Sequence, residues 1–217
     1  MKSPLTVKLL QAAAARFAKT ESKHSEKSMY GVTDGKAVGT YLEHKFGKYL
    51  GRTYAYERGS SASRIDLPSL KVDMKTTSVR QPQSSCPYRT ARQKIYGLGY
   101  SLLIFVYDKT DDHKTRTGRL NILHVIFVEA ERTADYQMTR GIRQILENDG
   151  NADDLIAFMM DKNLPVEDVE ANKLAEEILK KPPKQGYLTI SSALQWRLRY
   201  RRVINEAGEA PGVMRLV

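Results

Sequence analysis

The nine residues "YSLLIFVYD", Tyr100 to Asp108, constrain the fold more than any other stretch of this 217-residue chain. They form a continuous apolar run, not an alternating one. A strand with one wet face alternates, whereas a strand covered on both faces does not. The run therefore predicts an interior strand with packed layers on both sides. Across the polar connection "TDDHKTRTG" comes a second apolar strand, "LNILHVIFV". Two such strands need helices to cover them, and a chain of this length carries enough residues to supply them.

The helices are legible from spacing. Leu5 to Lys19 reads as an alanine-rich helix, followed by the polar linker "TESKHSEKSMYG". Val38, Leu42, Phe46 and Leu50, four apart, make one apolar stripe, with Asp34 as its cap and Gly51 as its stop. "TYAYERGSSASRID" has strand character broken by a Gly/Ser turn. "LKVDMKTT" alternates, with Leu70, Val72 and Met74 on one face and Lys71, Asp73 and Lys75 on the other. "CPYRTARQKIYGLG" predicts a short helix between Pro87 and Gly97. After Glu129 three helices follow, then the breaker "PPKQG", then a basic final helix over "YLTISSALQWRLRYRRVI". The fold class is α/β: a mixed sheet of about five strands flanked by helices, with a C-terminal helical annex. Residues 1–30 form an N-terminal helix and linker, 31–130 the core, and 131–217 the annex, packed on the core as part of one domain.

Lys plus Arg outnumber Asp plus Glu, 35 to 25, for a formal charge of +10. That surplus favours a polyanion partner, because cations that neutralise phosphates release counterions. Cys86 is the single cysteine, which excludes an internal disulfide or a thiolate metal site and suits a reducing cytoplasm. No apolar run is long enough to cross a bilayer. His24, His44, His113 and His124 are scattered, and neither a phosphate-binding Gly-Lys loop nor a dinucleotide turn is present.

The chemistry concentrates in "RIDLPSLKVDMKTTS", Arg64 to Ser78. An acid-x-Lys triplet is common in this chain. Only the one at Asp73 lies in an alternating strand, which turns Asp73 and Lys75 to the same side. Asp66 precedes it across the turn residues Leu67, Pro68 and Ser69. A turn of two or four residues puts Asp66 on the face of Asp73; a three-residue turn without a bulge puts it on the opposite face. Two carboxylates on one face, with the Met74 carbonyl nearby, make a hard oxygen site suited to Mg²⁺. The alternative is a solvated strand face carrying weak surface ion pairs.

"RID" followed by "VDMK" resembles the PD-(D/E)XK nuclease superfamily, which includes many type II restriction endonucleases. The resemblance covers residues 39–108, in the order helix, strands, helix, strand. It implies that Asp66 and Asp73 are metal ligands, that Lys75 is the catalytic lysine, and that Glu43 on the preceding helix is a further catalytic acid. Gln93 falls where relatives place a polar helix residue. Ile65 stands where the family has proline, the two acids are unusually close in sequence, and Glu57 is an alternative first ligand. The implied enzyme is a Mg²⁺-dependent endonuclease (one or two ions per site) cutting double-stranded DNA at a specific sequence and leaving 5′-phosphate ends. A homodimer, a cognate DNA methyltransferase and a cytoplasmic location go with it. Expected DNA contacts are Arg80, Gln81, Gln83, Arg89, Arg92 and Gln93, with Arg197 and Arg201 near Trp196 in the basic C-terminal segment. Rival readings are a structure-selective nuclease, such as a junction resolvase or repair enzyme, and a non-catalytic nucleic-acid-binding protein.

Overall fold

The computed structural model describes residues 2–59, 65–85, 90–191 and 197–217. Its contacts divide the chain into two compact units: residues 1–84, 102–128 and 207–217 form one, and residues 85–101 and 129–206 the other.

In the first unit, β1 (Ser3–Pro4) pairs in parallel with β3 (Tyr54–Ala55). The helix α1 (Val7–Glu21) starts where the Thr6 side chain accepts from the Leu9 amide, and it buries Leu10, Ala13, Ala14, Phe17 and Ala18. The predicted polar linker then supplies a short strand, β2 (Ser25–Glu26). Asp34 caps α2 (Gly35–Thr53) through the Lys36 and Ala37 amides. The stripe of Val38, Leu42, Phe46 and Leu50 is buried, as its spacing predicts. The helix runs two residues past Gly51, because Tyr54 takes up an extended conformation only after Thr53.

The five-stranded sheet has the order β10 (Val213–Arg215), β7 (Thr117–Val128), β6 (Ser101–Asp112), β4 (Val72–Ser78), with β2 also paired to β7. Leu102 to Tyr107 of β6 are buried without alternation, as expected of a strand covered on both faces. The polar connection between β6 and β7 is shorter than its composition suggests. The pairing runs from Leu102 opposite Val128 out to Asp112 opposite Thr117, so both strands continue into it. Phe17, Phe46 and Phe105 join α1, α2 and β6, with ring centroids 5.0–6.1 Å apart. The short strand β5 (Gln83–Ser85) follows β4 in sequence.

The second unit contains α3 (Arg92–Tyr96), α4 (Tyr136–Glu147), α5 (Ala152–Asp161) and α6 (Asp168–Lys180). Ile95, Met138, Ile142, Leu155, Met159, Leu174 and Ile178 form its core. The three helices expected after Glu129 are all present. The basic final helix is not. Its sequence forms β8 (Thr189–Ser191), antiparallel to β9 (Arg197–Arg199), and then the short α7 (Arg201–Glu206). Arg197 and Arg199 are exposed while Leu198 and Tyr200 are fully buried, a period of two in place of 3.6. Buried Asp135 supports the pair by accepting the Met138 amide at the start of α4 (2.9 Å) and the Ile190 amide of β8 (2.8 Å). Among the described residues, no helix is long and apolar enough to cross a membrane.

Candidate active site

The turn that decides the position of Asp66 has four residues. Leu67 and Val72 form an antiparallel bridge, their backbones exchanging hydrogen bonds of 3.0 and 3.2 Å. Pro68 to Leu70 make a single 3₁₀ turn between them, and Lys71 closes it in the left-handed conformation (φ 51°, ψ 49°). The parity is even, so Asp66 stands opposite Asp73 on one face. Asp66 accepts the Met74 amide through Oδ2 at 2.7 Å, which locks its carboxylate against β4. Lys75 Nζ lies 2.7 Å from Asp73 Oδ2.

Asp73 is 4 % exposed, unusual for an acid on the polar side of a strand. Burial pushes its carboxyl up to about 6, against the pull of Lys75, and the neighbouring Asp66 raises it further. Burial also raises Asp66, where the charge of Glu43 adds to the effect while the Met74 amide and the Asp73 side chain oppose it. Two carboxyl groups in hydrogen-bond contact cannot both hold a negative charge cheaply. Asp73 Oδ2, though close to Lys75, is buried without a well-aligned hydrogen bond. The site thus holds oxygen donors in excess of the protons and amides offered to them.

Glu43, from the middle of α2, lines a cavity of about 290 Å³ together with His44, Gly47, Tyr56, Arg58, Asp66 and Met74. Among the described residues, no three His, Cys, Asp or Glu side chains are placed to share one ion, so Glu43 does not close a three-carboxylate cage. Asp66 lines this cavity and Glu57 does not. Tyr56 and Arg58, which do line it, were not singled out by the motif. No pattern in the sequence marks either as a site residue.

The expected DNA-contact residues fall in both units, each in its own local setting. Arg80 is exposed and 3.3 Å from Asp108, and Gln81 is exposed beside it. The Gln83 amide donates to buried Thr77 Oγ1 at 2.9 Å. Arg92 is engaged by Glu177 (Nε at 3.1 Å) and lies over the Tyr96 ring. Gln93 Nε2 donates to the Leu98 carbonyl at 3.2 Å. Arg197 and Arg201 are exposed at β9 and α7. Arg89, Trp196, Cys86, Pro87 and most of the expected Gly/Ser turn lie outside the described residues.

Residues 4–215 match the family model of the type II restriction enzyme NspV. Over 210 residues the chain is 64 % identical to the type II restriction enzyme NspV of Nostoc sp. (strain ATCC 29411 / PCC 7524), covering 97 % of this chain and 96 % of that protein. The chain belongs to the NspV family of type II restriction enzymes. It is a site-specific deoxyribonuclease. No solved structure matches it. The match to the NspV family spans both compact units, so the helices and the β8–β9 pair of the second unit belong to the enzyme as much as the sheet does.

Proposed function

We propose that this NspV-family enzyme is a Mg²⁺-dependent nuclease of the PD-(D/E)XK type. In this reading it hydrolyses one phosphodiester in each strand of a specific DNA sequence and leaves 5′-phosphate and 3′-hydroxyl ends. The observation that carries this is the juxtaposition of Asp66 and Asp73 across an even turn, with the Lys75 ammonium on Asp73. The donor set fits a hard divalent ion: the buried Asp73 carboxylate with an incompletely bonded oxygen, the half-buried Asp66 carboxylate, and the adjacent Met74 carbonyl. Asp66, Asp73 and the Met74 carbonyl would hold one or two such ions. When bound, Mg²⁺ supplies a Lewis acid for a phosphoryl oxygen and lowers the pKa of water.

The chain's own groups do the rest. Asp73 holds Lys75 Nζ beside the acid pair, where it orients the attacking water and stabilises charge on the phosphorane. Water oxygen bonds to phosphorus, the bond to the 3′ oxygen breaks in line, and that oxygen takes up a proton. Glu43 borders the same cavity and accepts a hydrogen bond from the water or its proton. A two-fold dimer would present two such centres to the two strands. A cognate DNA methyltransferase and a cytoplasmic location complete the restriction role.

The test is digestion of phage DNA in Mg²⁺ by wild type, Asp73→Ala and Lys75→Ala. Discrete fragments are expected from wild type and none from either variant, with low-salt DNA binding kept by both. Fragments of the same pattern from Asp73→Ala would overturn the assignment.

A further inference from the structure

Arg58 follows β3, and two anchors flank it at Tyr56 and Gly59. Tyr56 Oη donates to the Gly47 carbonyl of α2 at 2.8 Å, and the Gly59 amide donates to the Asp66 carbonyl at 2.8 Å. The guanidinium lies against α2 at Gly47: a Cβ at that position would stand 2.6 Å from Nη2 and 3.0 Å from Cζ. Glycine is a poor helix former, and Gly47 sits buried inside a 19-residue helix. The space it leaves is filled by this cation. Arg58 shares its cavity with Glu43, Asp66 and Met74, yet among the described residues no carboxylate pairs with it. Arg80 elsewhere on the same unit meets Asp108, whereas the exposed Arg58 rests on Gly47 and meets no carboxylate among the described residues.

An exposed guanidinium that meets no carboxylate among the described residues keeps its planar fork of donors for two phosphate oxygens. We infer that Arg58 is a substrate-contacting residue of the cleavage cavity. It donates to the non-bridging oxygens of the phosphodiester being cut, and Gly47 is glycine so that the guanidinium can lie where it does. This rests on the hydrolytic reading of Asp66 and Asp73 above.

The experiment is a double-mutant cycle of Arg58→Ala and Gly47→Ala, with Arg58→Lys and Asp73→Ala alongside. Single-turnover cleavage is measured with enzyme in excess on phage DNA that wild type cuts, and binding to the same DNA is measured in Ca²⁺. Arg58→Ala is expected to lower the cleavage rate about 100-fold with binding within threefold of wild type. Arg58→Lys should recover part of that loss, because charge returns without the fork. Gly47→Ala should cause a similar loss without a lower melting temperature, since alanine favours the helix and only the end of a flexible side chain must move. The deciding result is non-additivity: Gly47→Ala should cost nothing more once Arg58 is alanine. If Arg58→Ala cleaves within threefold of wild type, or if the Gly47→Ala loss persists undiminished in the Arg58→Ala background, the inference fails. The Asp73→Ala arm keeps the two readings apart: its inactivity beside an active Arg58→Ala leaves the hydrolytic centre standing and removes only the role of Arg58.

Discussion

At the scale of residues, the acid pair is a local cost that a cation can relieve. Asp73 holds its proton up to about pH 6 in the folded chain against 3.8 for an ordinary aspartate. Between those values the folded state binds more protons than the unfolded state. Stability therefore falls as pH rises through that window, and the full penalty, up to about 3 kcal/mol, is present above it. Asp73→Asn should accordingly melt higher than wild type at pH 8 in EDTA, with the gap shrinking toward pH 5. Mg²⁺ should raise the melting temperature of wild type but not of the variant. Equal Mg²⁺ responses from the two proteins would count against a cation at this site. That Asp73 and Lys75 share a strand face was readable from their spacing, whereas the face of Asp66 was left open by the turn. The burial of Asp73 was not, since strand alternation assigns it to a polar face. Arg58 and Tyr56 were equally unreadable as site residues, because a cavity is made by segments brought together from α2 and the β4 turn.

At the scale of elements, register is the controlling variable. The turn from Pro68 to Lys71 has an even count, and one more residue would send Asp66 to the opposite face of the pair. Insertion of a single glycine between Ser69 and Leu70 should lower cleavage at least about 100-fold while changing the melting temperature only modestly, because the turn is exposed at Lys71. Cleavage by the insertion variant at the wild-type rate would show that Asp66 is not needed in its present place. The C-terminal segment gives the complementary lesson. "YLTISSALQWRLRYRRVI" carries apolar residues that satisfy a helical spacing, yet Leu198 and Tyr200 are buried two apart. What selects the strand is a partner: β9 pairs with β8, and β8 is tied by its Ile190 amide to Asp135. Asp135→Ala strands two buried amides at once. A loss of about 2–3 kcal/mol is expected, read as a lower midpoint in urea unfolding.

At the scale of the whole molecule, the chain leaves its first unit twice and comes back. Its last eleven residues, 207–217, return to the sheet as β10, where Val213 is 1 % exposed beside Val128 of β7. Removing residues 207–217 uncovers an edge of β7, and the truncated protein is expected to aggregate on expression, checked by light scattering of the purified fraction. The surplus of ten positive charges belongs to this scale too. DNA affinity in Ca²⁺ should fall at least about tenfold between 50 and 200 mM salt, as counterion release requires. Affinity that is flat over that range would mean that phosphates contribute little. By itself the sequence determined the two buried strands, the capped helices, the basic character and the acid–acid–lysine set, because each is written in patterns within twenty residues. Only the tertiary structure decided which way Asp66 faces, how deeply Asp73 is buried, that the final basic stretch is partly strand, and that Arg58 stands beside the acids. Those outcomes depend on pairing between segments far apart in the chain, and local propensity carries no information about a partner that has yet to arrive.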